Sequence, residues 1–342
     1  MHLQDLPLEL LSYLPTHLDD IEDFLHVSQT CSRLYLAYAQ TLPSIILRLA
    51  AASSLPVFQP HPLPLIVATI RGVSVWALGN ESNTQTLRIA LQGGLESLLE
   101  LCIRQGGLTF DDIRRIHVAK RTIIDPLARK VRIMSGEEYD EEHELADGPI
   151  ITFSDAEQAS YQLIIYGELF GKCTLDDMPR WFSVAVRLDF VRCCVAGWMR
   201  TEDLSNQLWM EIVRGPTLTM SDHMSLRNII SAPHWIHLWT AVTRSIGPDF
   251  GARWKQKMWF DMVQLQGLEG MEMLVKGGPE KWQQKLVVLY EKVDKLEESD
   301  KPGKQRYSLP GMHGSDMYVD ISEAPDLENE LRVCILEVTA GH

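Results

Sequence analysis

Apolar residues recur along this chain at the spacing of one helical face. They stand at Leu6, Leu10, Leu11, Leu14 and Leu18, and Phe24, Leu25, Val27, Cys31, Leu34 and Tyr35 continue the rhythm. Ile45, Ile46, Leu49 and Ala50 mark a further helical stretch. Asn83-Thr84 predicts the cap of a helix from Gln85 to Arg104, with Leu87, Leu91, Leu95, Leu98, Leu99 and Cys102 inside and Gly106-Gly107 as its stop. Thr109 is the next cap, followed by Asp111 and Asp112 at the positive end of the helix dipole. Ile113, Ile116, Ala119, Ile123 and Leu127 fill that helix, which Pro126 should end or kink.

Further on, helical texture is expected from Ser154 to about Phe170. Trp181 to Met199 is strongly apolar and reads as central core. Glu202–Val213, Asp222–Ile230, Trp235–Arg244 and Arg253–Gln264 are further helix candidates, and Glu280–Glu297 carries a clear apolar stripe. Two stretches break the pattern. Residues 135–148 are acidic without an apolar face and are expected to form a solvated loop. Residues 299–315, with Pro302-Gly303 and Pro310-Gly311, read as linker. Beyond them, Met317–Ile321 and Leu331–Val338 alternate or run β-branched and predict two short strands. The expected fold class is mainly α: a three-helix unit, an irregular multi-helix domain and a short β element at the end. Residues 1–45, 46–298 and 299–342 are the expected divisions. The Ala90–Gly107 segment looks like half of one ankyrin repeat, but a single copy cannot build a repeat fold.

Composition narrows the function classes. The chain has 342 residues, 45% apolar and 23% charged, with 32 Lys and Arg against 46 Asp and Glu, a net charge of −14. An acidic chain is a poor general ligand for nucleic acid or an anionic membrane, so neither is expected as a partner. No run reaches the length a membrane-spanning helix needs. Met1–Asp5 lacks the basic stretch and apolar run of a secretory leader. Six cysteines without a C-x-x-C pair fit a reducing compartment, hence cytoplasm or nucleus.

Residues 6–38 carry the most specific signal. Leu6-Pro7-x-Glu9-Leu10-Leu11 opens the segment, Leu14 and Leu18 follow as apolar positions, Asp23-Phe24-Leu25 begins a second helix, and Val27-Ser28-Gln29-Thr30-Cys31-Ser32-Arg33-Leu34 closes it. This combination resembles the F-box family, and the helical remainder loosely resembles the large C-terminal parts of fungal F-box proteins. Pro7 suits a helix start and Glu9 its dipole. Pro15 departs from the pattern and should shorten or kink the first helix. The resemblance implies a small helical unit that binds a Skp-type adaptor, and through it a cullin, by way of Leu6, Pro7, Leu8, Glu9, Leu10, Leu11, Leu14, Val27, Ser28, Cys31 and Leu34. The expected function is that of the substrate receptor of an SCF-type ubiquitin ligase, with an unidentified target protein held by the helical region. A helical scaffold on the same adaptor, without ubiquitination, is the alternative. About 45 residues with so many apolar side chains cannot cover them internally, which independently calls for a covering surface.

No catalytic constellation, metal site or cofactor is expected. Phosphate-binding glycine loops and a nucleophile elbow are missing. His143-Glu144-Leu145-Ala146-Asp147 lacks the second His of a zinc protease, and His234-x-x-His237 lacks further ligands. Cys193-Cys194 reads as core. Seven tryptophans between 198 and 282, beside Arg244, Arg253, Lys255 and Lys257, mark the region where a target surface is first sought.

Overall fold

The computed structural model describes residues 6–52, 58, 61–134, 156–171, 181–195, 226–227, 229–230, 243–244, 250–275, 279–309 and 317–340. The fold is mainly α with one short antiparallel β hairpin near the C-terminus. The acidic stretch 135–148, the candidate helix Glu202–Val213, most of Asp222–Ile230 and Trp235–Arg244, and His143, His234 and His237 lie outside the described residues.

The N-terminal unit is built from α1 (Leu8–Leu11), a 3-10 turn (Leu14–His17), α2 (Ile21–Ser28), α3 (Ser32–Tyr38) and α4 (Pro43–Ala52). Pro15 does shorten the first helix: α1 is a single turn, and the chain tightens into the 3-10 turn around Pro15. Pro7 precedes α1 rather than opening it, with φ −53°, and its carbonyl accepts from the Leu10 and Leu11 amides at 3.1 Å. Asp20 caps α2 by accepting from the Asp23 amide at 2.8 Å. α4 runs through position 45. Its Arg48 donates to the carbonyls of Leu18, Pro15 and Thr16 at 3.1, 3.2 and 3.2 Å, satisfying acceptors that so short a turn leaves open.

The body begins with α5 (Leu63–Thr69), α6 (Val73–Leu78), α7 (Glu81–Gln92) and α8 (Gly94–Gly106). The single helix expected over Gln85–Arg104 is two. Asn80, not Asn83 or Thr84, is the cap, accepting from the Asn83 amide at 2.8 Å, and the chain turns at Gly94 with φ +81°. That left-handed conformation is open to glycine at no steric cost. The stop after α8 is as expected, with Gly107 at φ +70°. α9 (Phe110–Ala119) opens with a reciprocal box between Thr109 and Asp112. It passes through a π-helical turn (Lys120–Ile124) into α10 (Asp125–Met134). Pro126 therefore sits in the first turn of α10, after the helix has already widened, and no break is needed.

α11 (Ala156–Tyr166) ends in a second π-helical turn (Gly167–Gly171) and is buried on every side. α12 (Val184–Cys194) is nearly so, as its apolar run predicts. α13 (Arg253–Gln264), α14 (Leu268–Val275) and α15 (Pro279–Asp294) follow. Two expectations near the end are corrected. Lys304–Leu309, within the supposed linker, is strand β1, and it pairs antiparallel with β2 (Met317–Ser322) in the register Lys304↔Ser322 to Leu309↔Met317. Leu331–Val338 is not a strand but lies in α16 (Leu327–Ala340). The reason is local and tertiary together. Asp326 accepts from the Asn329 amide at 3.3 Å, Glu328 and Glu330 occupy the first turn, and Leu327, Leu331 and Cys334 form a buried helical stripe that overrides β propensity.

One hydrophobic core runs through all of these elements, from Leu11 to Cys334. The N-terminal unit joins it through aromatic edges, with Phe110 5.5 Å from Phe24 and 5.2 Å from Tyr35, centroid to centroid. The Tyr35 hydroxyl donates to Asp111 at 2.9 Å. The C-terminal hairpin is anchored by Arg187, fully buried on α12. Its Nε donates to Glu330 at 2.6 Å, and its two terminal nitrogens donate to the carbonyls of Phe182, Glu323, Ser322 and Ala324. Among the described residues no helix is long and apolar enough to cross a membrane.

Candidate functional site

The residues singled out in the N-terminal segment divide by exposure. Pro7, Glu9 and Leu10 are exposed, and Leu6, Leu8, Leu14, Val27 and Cys31 are half-buried. Leu11, Ser28 and Leu34 are buried. Ser28 donates to the Leu25 carbonyl at 2.6 Å. These last three hold the unit together and offer no surface to a partner.

The arrangement follows from the local helices. α1 packs against α3, and α2 packs against both α3 and α4. Arg33 of α3 donates to the Leu6 carbonyl at 2.8 Å and fixes the start of α1 on that helix. α3 reads Ser-Arg-Leu-Tyr-Leu-Ala-Tyr and is apolar almost all round. A surface helix of that kind cannot bury every side chain against one neighbour. Leu34, Ala37 and Tyr38 go inward, and Leu36 is left 55% exposed. Leu10 is 52%, Tyr13 64% and Leu42 63% exposed. Of the nine large apolar side chains exposed among the described residues, four therefore lie between positions 10 and 42. These four are the exposed large apolar side chains from which a binding surface on this unit would have to be built. Tyr13, Leu36 and Leu42 were not among the sequence candidates. For Leu36 the missed signal was the absence of a polar face on α3.

Elsewhere the candidates resolve into structure. Cys194 is buried, with its thiol against the Leu91 carbonyl, and burial pushes that thiol well up. Cys193, expected in the core with it, is exposed at the end of α12. Within the tryptophan-rich span, Trp259 is buried and edges Tyr290 at 6.2 Å. Trp254 is half-buried and donates to Glu298 at 2.9 Å. Trp198, Trp209, Trp235 and Trp239 lie outside the described residues. Among the described residues no His, Cys, Asp and Glu group is placed to hold a metal ion.

One polar cavity stands apart from the N-terminal unit. It measures about 170 Å³ and lies between α13 and the start of α16, lined by the charged Lys257, Asp261, Asp326 and Glu328 together with Phe260 and Leu327. Lys257 bridges Asp261 at 2.6 Å and Asp326 at 3.0 Å. Burial pushes the Asp261 carboxyl up to about 7, with Asp326 adding to the effect and Lys257 opposing it. The three groups satisfy one another, and this cluster joins two helices.

No family model matches the chain, and no curated protein or solved structure matches it.

Proposed function

We propose that this chain is a substrate receptor that docks a Skp-type adaptor, and through it a cullin, on the exposed apolar face of residues 6–42. The reading rests on the F-box-like order of residues from Leu6 to Leu34. The observation that carries it is the exposure of Leu10, Tyr13, Leu36 and Leu42 on a small helical unit keyed to the body. The body then holds a target protein close to the ubiquitin-charged enzyme, and the contribution is one of effective concentration, without covalent chemistry by this chain.

The test is a titration of purified Skp-type adaptor against the wild type and the Leu10→Ala/Leu36→Ala variant. Both leucines are already about half exposed, so the fold should tolerate the change. Covering the exposed half of each leucine is worth about 1 kcal/mol per side chain, so the variant should bind about ten- to a hundredfold more weakly. Equal binding by the two forms removes the adaptor reading. Cullin capture through the bound adaptor separates a ligase subunit from a scaffold.

A further inference from the structure

α9 presents a cationic face along the seam between the N-terminal unit and the body. Arg114 and Val118 of α9 and Arg121 of the π-helical turn that continues it follow at helical spacing and are all exposed, Val118 by 52%. α2 and α3 reach the same seam. His26 of α2 is exposed and acts on His117 of α9, and Arg114 stands beside the Tyr35 phenol of α3. The His117 imidazole is held below its ordinary value by burial first, and then by Arg121 and His26. The acidic groups nearby are already engaged. Asp111 takes the Tyr35 hydroxyl at 2.9 Å, and Asp112 takes Arg71 at 2.7 Å. Among the described residues Arg121 and His26 form no ion pair.

The concentration of positive charge here is out of keeping with the chain. Between 114 and 132 there are seven Lys or Arg against the single carboxylate Asp125, in a protein of net charge −14. Three of these cations serve the fold. Lys120 is buried and pairs with Asp125 and Glu157 at 2.6 and 2.5 Å, Arg115 donates to the Ala68 carbonyl at 2.7 Å, and Lys130 donates to the Leu274 carbonyl at 3.1 Å. Among the described residues Arg121 has no such structural task and Arg114 shares only the Tyr35 phenol, and like charges crowded on one face raise the energy of the free protein until something negative covers them.

We propose that this seam, formed by Arg114, Val118 and Arg121 with His26 and His117, docks a short acidic segment of the target protein. The proposal rests on the receptor reading above and names the class of target that reading leaves open. Charge complementarity selects an anion, and the exposed Val118 between the two arginines selects one carrying an apolar side chain. An extended polyanion such as nucleic acid or an anionic membrane would meet the net negative charge of the rest of the chain, whereas a short peptide would not. A target held here lies against the N-terminal unit, and so close to the adaptor.

Fluorescence anisotropy with a short labelled Glu/Asp-rich peptide carrying one central leucine tests this on the full chain. The wild type should bind it, more weakly as salt is added. Arg114→Glu/Arg121→Glu should bind at least about tenfold more weakly. Lys295→Glu/Lys304→Glu, which changes net charge equally at exposed sites after α15 and on β1, should bind as the wild type does. If the first variant loses helical circular dichroism, Arg121→Gln replaces it and should show a smaller loss of the same sign. Adaptor binding by the charge-reversed variant should be unchanged. No binding of the peptide, equal losses in the two double variants, or tighter binding of a single-stranded oligonucleotide than of the peptide would each overturn the proposal. Adaptor binding without peptide binding removes this surface alone, while peptide binding without adaptor binding removes the receptor reading that makes the peptide a target.

Discussion

Arg187 has five N–H donors, and each finds an acceptor in the interior: one carboxylate and four carbonyls. Glu330 is as buried as its partner and also takes the Tyr166 hydroxyl at 2.7 Å. Burial pushes the Glu330 carboxyl up, and the guanidinium beside it works in the opposite direction. A pair of this kind is more costly to halve than to replace. Glu330→Gln should destabilise by about 3–5 kcal/mol, because it strands a buried cation. Glu337→Gln, which loosens the half-exposed pair with Arg192, should cost less than about 1 kcal/mol. Urea denaturation of the two variants checks the contrast. The same logic separates neighbours in the N-terminal unit. Leu11 is 0% exposed and Leu10 is 52% exposed. Leu11→Ala should cost about 2–5 kcal/mol of stability, whereas Leu10→Ala should leave stability within about 0.5 kcal/mol and weaken the adaptor. A Leu10→Ala protein that unfolds early in urea would show that this leucine belongs to the core.

Between elements, two of the described glycines bring backbone against backbone. A Cβ at Gly171 would run into the Leu265 carbonyl oxygen, and one at Gly167 into the backbone of Gly267. The π-helical turn after α11 thus seats directly on the turn between α13 and α14. Gly171→Ala should cost about 3 kcal/mol, visible as a lowered thermal midpoint. α13 is joined to the start of α16 by Lys257, Asp261 and Asp326, and there the dependence is on pH. The Asp261 carboxyl, near 7 in the folded protein, ionises near ~4 in an unfolded chain. Between those values the folded state holds more protons, so this group's contribution to stability falls as pH rises from about 4 to about 7. Asp261→Asn should flatten that part of the pH profile by on the order of 1 kcal/mol, measured by urea denaturation at pH 5 and pH 7. These junctions were invisible in the sequence, because each depends on residues about 65 to 100 positions apart. What the sequence did carry was local: the Thr109 cap, the Gly107 stop, the buried run from Val184 to Cys194 and the shortening at Pro15. It misled where local signals competed. Gly93-Gly94 looked like part of a continuous stripe, and the β-branched Val333, Ile335 and Val338 outweighed the Asp326 cap that makes their segment a helix. In the N-terminal unit the order of residues pointed to a covered surface, but only the packing of α3 separates outward Leu36 from inward Leu34.

Across the whole molecule, the N-terminal unit and the body share one core, since Phe24 and Tyr35 close over Phe110. Heating should therefore give a single calorimetric transition for this part of the chain, and removal of residues 1–45 should uncover Phe110 and lower the midpoint of what remains. An unchanged midpoint would mean that the two parts melt independently. Rigid attachment also serves the proposed role: a receptor whose docking unit is keyed to its body presents a bound target at a set angle. The Arg187 hub has a different kind of consequence, one of timing. Its carboxylate partner lies 143 residues later in the chain, and its carbonyl partners in the hairpin about as far. On the ribosome, α12 emerges while those acceptors are still unmade, and a guanidinium cannot enter an apolar interior alone. The interior around α12 must therefore stay open to water until Glu330 has been synthesised, and a transcript cut short before Glu330 yields a chain that quality-control proteases can recognise as unfinished.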